Sequence, residues 1–346
     1  SCKGCKRECP TGVDMAKMKI EFLHHYRERH GLSWKDRLIA YLPRYAPWAA
    51  RLAWLMNLRD RVPGAAALGE SLLGLSAERS LPQWRSDTFF AAAPQPAVAE
   101  GREVVLLVDT FNNYFESENA RAAHAVLEAA GYRVHLPRPA DGPRPLCCGR
   151  TFLAAGLVDE ARAEARRTLQ ALGPFVARGV PVVGLEPSCL LSLRDEFLSL
   201  LPGADASRLA LAALLFEEFL AREHDAGRLS LKLKALPQKK ALLHGHCHQK
   251  AFAAMPAVQR VLGLVPELKV EIVESSCCGM AGSFGFDAGH YEVSMKMAEL
   301  ALLPAVRGAG DDTLIVADGT SCRHQIHDGA GKNALHVARV LQMALA

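Results

Sequence analysis

The stretch Glu274-Ser275-Ser276-Cys277-Cys278-Gly279-Met280-Ala281-Gly282-Ser283-Phe284-Gly285 decides how this chain is read, because its Cys-Cys-Gly unit occurs a second time at Cys147-Cys148-Gly149. Adjacent side chains on an extended strand point to opposite faces. For two neighbouring thiols to face one site the backbone must turn, and a following glycine enters left-handed conformations without steric cost. The unit therefore reads as the floor of a metal-cluster site at the end of a strand. Two buried free thiols, or a strained vicinal disulfide, are the competing readings. The repeat and the spacing of the other cysteines favour the cluster.

The chain has 346 residues, of which 50% are hydrophobic and 23% charged, so two or three globular domains with a large core are expected. A net charge of +4 implies no nucleic-acid partner. The charge is uneven: residues 1–60 hold 5 Lys and 7 Arg against 3 Asp and 3 Glu. There are ten cysteines, and the opening Ser1-Cys2-Lys3-Gly4-Cys5 has no apolar leader. Clustered cysteines without a sign of export point to metal or redox use and a cytoplasmic location. The chain starts inside a motif and without Met, which suggests a piece of a longer polypeptide.

That motif is Cys2-x2-Cys5-x3-Cys9-Pro10, the tail of the bacterial ferredoxin run C-x2-C-x2-C-x3-C-P. In that run the first three cysteines hold one [4Fe–4S] cube and the fourth holds its neighbour. Cys2 and Cys5 would then serve one cluster and Cys9 another, with a zinc knuckle as the competing reading. A helix is expected over 14–30. Between 34 and 59, Arg37, Arg44 and Arg51 recur every seven residues among Trp, Leu and Ala, while Pro43 and Pro47 interrupt any single helix. The segment is too broken for a membrane span. Two readings stand: a peripheral contact at the inner face of a membrane or with a partner, and packing against the rest of the protein, the latter favoured. Residues 91–101, small and Pro-bearing, mark a domain boundary.

From there the chain repeats itself. Apolar strand patterns at 103–108, 132–136 and 180–185 alternate with helices near 118–130 and 158–172. Strands at 240–243, 269–273 and 313–317 alternate with helices near 254–264 and 288–303. Alternating strands and helices imply an α/β fold with parallel sheets, whose sites form at the carboxyl ends of strands. Every cysteine after residue 100 falls at such an end. Cys247, Cys277, Cys278 and Cys322 would converge in the second half, enough for a [4Fe–4S] core. The first half offers Cys147, Cys148 and Cys189, with Asn112 at the place of Cys247, and is expected to be degenerate and structural.

Histidines flank Cys247 at 244, 246 and 248. On a strand they would share the face opposite Cys247. Zinc held by imidazole with Cys277 or Cys278 is therefore the weaker option. His246 or His248 is the candidate to donate a hydrogen bond to a cluster sulfur. Gly279, Gly282 and Gly285 match neither a Walker loop nor a dinucleotide fingerprint; close backbone approach to a cluster, or the start of a helix, accounts for them, and Gly279 is counted among the cofactor-binding residues. No nucleophile–base set appears, so no catalytic residue is named.

With these motifs in place the chain resembles the cysteine-rich CCG-domain family, which includes the iron–sulfur subunit of glycolate oxidase and the B subunit of heterodisulfide reductase. It looks most like the C-terminal part of fused FAD-linked oxidases of the D-lactate and D-2-hydroxyglutarate dehydrogenase kind. The resemblance rests on Cys9-Pro10-Thr11-Gly12-Val13-Asp14, Leu42-Pro43-Arg44-Tyr45-Ala46-Pro47 and both CCG units, in the expected order. It implies a ferredoxin-tail and helical segment over 1–95, then two Rossmann-like lobes over 96–235 and 236–346. It also implies iron–sulfur ligation by Cys247, Cys277, Cys278 and Cys322, a flavin (FAD) domain outside this chain, and delivery of electrons to a quinone or other acceptor. The single cysteines, where some relatives have Cys-x-x-Cys, count against a noncubane cluster. A thiol–disulfide redox component and a zinc-stabilised binding protein without redox activity are the alternatives.

Overall fold

The computed structural model describes residues 2–92, 101–142 and 144–346. The boundary expected at 91–101 falls mostly on residues 93–100, outside the described residues. The fold is α/β, with two parallel sheets among the described residues. β1 (Arg102–Leu107), β2 (Tyr132–His135), β3 (Val182–Gly184) and β4 (Ala213–Leu215) form the first sheet in the order β2-β1-β3-β4. β5 (Lys240–Leu243), β6 (Lys269–Ile272) and β7 (Thr313–Val316) form the second in the order β6-β5-β7. The first three strands of each half thus take the same spatial order, all parallel, with Val104 opposite Val134 in one and Leu243 opposite Ile272 and Val316 in the other. β4 is a strand the periodicity conceals: it follows the helix Ala204–Ala212 with no loop, inside a continuous Ala/Leu run.

Val104, Val105 and Leu106 on β1 are completely buried, as expected of a central parallel strand covered on both faces. One core runs through both halves: Val104, Leu127, Leu185 and Phe219 of the first join Ala241, Val258, Val316 and Leu341 of the second. The C-terminal helix Val337–Met343 lies against the helix Ser117–Ala129 of the first half. Each fully buried aliphatic side chain contributes about 1.5–3 kcal/mol, so this shared interior holds the two sheets in a fixed relation.

The N-terminal segment is helical. Asp14 caps the helix Met15–His30 by accepting from the amides of Ala16 and Lys17, and Gly31 ends it at φ 69°. This helix rests on Gly156, where a Cβ would come within 2.5 Å of the Leu23 backbone. Over 34–59 the chain breaks into the helices Trp34–Ala40, Leu42–Arg51 and Ala53–Met56, with Pro43 in the first turn of the second. Small residues face inward (Ala40, Ala46, Ala49, Ala50, Ala53), whereas Trp34, Trp48 and Trp54 are 76%, 66% and 64% exposed. The packing expected of this segment is therefore done by its alanines and by Tyr41 and Tyr45, whose rings lie 5.3 Å from Phe152 and 6.0 Å from Trp84, while its tryptophans stay outside. No helix among the described residues is long and apolar enough to cross a membrane.

Candidate metal centre

β5, β6 and β7 each end in a segment that supplies sulfur. After Leu243 the chain leaves the sheet and starts the helix Cys247–Ala251, with His246 as its cap. After Val316 the helix Thr320–Ala330 begins, with Cys322 in its first turn. After β6 the CCG turn follows. Gly279 takes φ 89°, and its amide donates to the Cys277 sulfur at 3.4 Å. Gly149 does the same in the first half, at φ 75° and 3.4 Å from the Cys147 sulfur. The close approach at Gly279 is to a helix: a Cβ there would meet the Ser294 carbonyl oxygen at 2.2 Å.

All ten cysteines are free thiols. Cys247, Cys277, Cys278 and Cys322 are buried and lie in contact one after another: Cys247 with Cys277, Cys277 with Cys278, Cys278 with Cys322. A fifth sulfur joins them. Cys2, 245 positions before Cys247, interacts with both Cys247 and Cys277. It is brought there by Lys3, whose fully buried ammonium binds Asp14 at 2.6 Å, Asp195 at 2.9 Å and Glu196 at 3.0 Å. Cys9 lies apart, its sulfur 3.1 Å from the Thr11 hydroxyl. No contact joins Cys5 to the other thiols among the interactions of the described residues.

The electrostatics match a site built for a cation. The Cys247 thiol is pushed well above its ordinary value by its contacts with Cys2 and Cys277 and by burial. Cys278 is also pushed well up: its contact with Cys277 opposes the shift, while contact with Cys322 and burial outweigh it. Cys277 is the exception, held below the usual thiol range by hydrogen bonds from Cys2 and Cys247. Buried thiols that obstruct one another's ionisation become thiolates once a soft cation supplies the missing charge. Lys250 adds positive charge. Burial lowers its pKa, and the fields of Cys322, Cys247 and Cys277 oppose that. Its ammonium donates to the Ser275 carbonyl. Nothing in the sequence singled it out except a position three residues after Cys247.

The histidines differ from the strand-based expectation, because 244–248 is a loop and a helix start, so alternation does not apply. His244 turns toward Cys278 and Cys322, and one ligand atom from each of the three lies within 4.8 Å of the others. His246, Cys247 and His248 form a second such group. Burial, first of all, lowers His244 to about 3 and His246 to about 4, and His248 well below its ordinary value. All three rings are therefore neutral at pH 7 and able to ligate or to hydrogen-bond.

The first half follows the same plan with fewer sulfurs. Cys189 occupies the third residue of a helix capped by Glu186, as Cys322 does after Gly319. The cap register pairs Cys247 with Thr110, the first residue after the cap Asp109, and not with Asn112, because β1 ends one residue before the expected 108 and the loop leaving β5 is one residue longer than the one leaving β1. Asn112 is locked away, donating to Asp109 at 2.7 Å and accepting from Asn119 at 3.1 Å. Asp109, Thr110, Cys147, Cys148 and Cys189 line a cavity of about 10 Å³ in that half.

Comparison with known proteins agrees with this geometry. Residues 241–327 match the CCG cysteine-rich domain. The chain is 26% identical over 355 residues to D-2-hydroxyglutarate dehydrogenase of Escherichia coli, covering 99% of this chain and 33% of that protein. It is 28% identical to the Pseudomonas putida enzyme of the same name, with the same two coverages. It is also 28% identical over 298 residues to one component of the anaerobic glycerol-3-phosphate dehydrogenase of Escherichia coli, covering 84% of this chain and 72% of that component. The chain thus spans about a third of the length of the D-2-hydroxyglutarate dehydrogenases it matches. Residues 241–327 thus match a CCG cysteine-rich domain, in a chain similar to part of the D-2-hydroxyglutarate dehydrogenases and to a subunit of an anaerobic glycerol-3-phosphate dehydrogenase.

Proposed function

We propose that this chain is the iron–sulfur electron-transfer module of an oxidoreductase, an FAD-linked 2-hydroxy-acid dehydrogenase whose flavin-binding domain or subunit lies outside it. The observation that carries this reading is the run of contacting, buried, free thiols at the carboxyl ends of β5, β6 and β7. Cys247, Cys277, Cys278 and Cys322 are the ligand set for a [4Fe–4S] cube, which when bound supplies one-electron storage. The residues around them do the rest. The Gly279 amide and Lys250 stabilise negative charge on sulfur. Met280, Leu302, Val306, Ile315 and Ile326 close over Cys278 and Cys322 and keep water away. Cys2, the first cysteine of the ferredoxin-type tail, lies beside this centre, and a second cofactor would approach from that side for electrons to cross. A quinone or another acceptor takes the electrons.

A second reading has an observation of its own. The His244/Cys278/Cys322 and His246/Cys247/His248 groups are donor sets of the kind zinc takes. Anaerobic metal analysis with paramagnetic resonance separates the two. Iron near four per chain with a signal on reduction is expected; stoichiometric zinc without iron refutes the electron-transfer reading. Cys278→Ser removes a central sulfur and is expected to abolish the iron signal of the second half. Undiminished iron content in that variant removes Cys278 from the ligand set.

A further inference from the structure

Arg150 follows directly on the first half's Cys147-Cys148-Gly149 unit, yet its side chain crosses to the second half. One guanidinium nitrogen lies 2.6 Å from Glu196 and another 2.9 Å from Nε2 of His248. A guanidinium has only donors, so Nε2 of His248 must accept. A neutral imidazole that accepts at one nitrogen carries its proton on the other. In His248 that other nitrogen, Nδ1, lies 3.5 Å from the Cys247 sulfur. The neighbouring ring is fixed the opposite way: the His248 amide donates to Nδ1 of His246 at 3.2 Å, so that atom has no proton to give.

We propose that Arg150 is a positioning residue that holds His248 as the Nδ1–H tautomer, so that its N–H donates to the Cys247 sulfur and the first CCG unit tunes the sulfur chemistry of the second. A hydrogen bond to a ligating sulfur favours the more negative, reduced state of a centre. The effect on potential rests on the metal reading above; the tautomer does not. The first half, short of sulfur, thereby gains a role other than scaffolding.

The test reads the tautomer first, by nitrogen-15 NMR of the histidine side chains in the metal-free chain, with the His248 signals assigned by loss in His248→Phe. A protonated Nδ1 and bare Nε2 at His248 are expected; a protonated Nε2 in the unmutated chain overturns the proposal, and this measurement needs no variant at the site to fold. In Arg150→Met, where Lys3 at 3.0 Å still neutralises Glu196, His248 is expected to lose its single tautomer, and an unchanged spectrum overturns the proposal. The second arm is a redox titration of the iron-loaded chain followed by paramagnetic resonance. Arg150→Met is expected to lower the potential, and to do so far less in a His248→Phe background. An equal drop in both backgrounds means that Arg150 acts by its charge alone, which also overturns the proposal. Absence of iron refutes the electron-transfer reading but leaves the NMR result to decide on the tautomer.

Discussion

Gly279 shows how much a single residue bears here. Its φ of 89° lies where L side chains rarely go, and a Cβ would overlap the Ser294 carbonyl of the helix Tyr291–Glu299. Gly279→Ala must therefore move either the CCG turn or that helix. A loss of about 2–4 kcal/mol in urea unfolding is expected, larger than for Gly308→Ala, where nothing stands in the way. The glycine after two cysteines is legible in the sequence as a turn, and the positive φ in both halves agrees. What it approaches was not legible, since the contact with Ser294 exists only once the helix has docked. Cys2 is the same case. Its motif marks it as a candidate ligand, but only folding brings it to Cys247, through a buried lysine that no spacing rule reveals. His248 could be singled out as a hydrogen-bond donor beside Cys247, whereas the partner that orients it comes from 98 residues upstream.

Among the elements, the strands of the two sheets were readable because buried parallel strands are short apolar runs between polar segments, and each observed strand except β4 falls within a residue or two of such a run. Interlocking ion pairs were not readable. The helix Phe216–Asp225 is tied to the first sheet by Glu223, which accepts from Arg228 at 2.6 Å and from the Tyr132 hydroxyl at 2.7 Å and also binds Arg102 of β1. The Arg228 hydrogen bond chiefly, helped by Tyr132 and opposed by burial, holds the Glu223 carboxyl at about 2, against 4.5 for an ordinary glutamate. A carboxyl with a depressed folded-state pKa contributes stability that is whole above pH 4.5 and drains away as the pH falls toward 2. Because its arginine partners are half-exposed and screened by solvent, that contribution is about 1 kcal/mol. Glu223→Gln is expected to flatten the stability–pH profile between those limits, measured by urea unfolding at several pH values; an unchanged slope removes Glu223 as its source.

At the scale of the molecule, the common interior predicts that the halves unfold together. Leu341 is completely buried in that interior, on the C-terminal helix that rests against the first half. Leu341→Ala is expected to cost about 2–5 kcal/mol. Hydrogen exchange should then show protection falling in β1 as much as in β5; loss confined to β5–β7 would mean that the halves are energetically separate. The helical segment makes a different prediction. Trp34, Trp48 and Trp54 stand exposed on a segment rich in arginine, with Arg51 stacked over Trp48, the composition of a peripheral membrane face. Co-sedimentation with anionic vesicles tests that reading against packing alone: binding weakened several-fold by Trp48→Ala with Trp54→Ala and by salt would support a peripheral contact, and no binding, or equal binding to neutral vesicles, would exclude this face as an electrostatic anchor.

The single oily interior beneath both sheets also limits what evolution can discard. A gene trimmed to its second half would leave Val258, Val316, Val340 and Leu341 without the residues that cover them. The half with too few sulfurs therefore supplies cover that the other half cannot do without, and the pair must be inherited, moved and engineered as one piece.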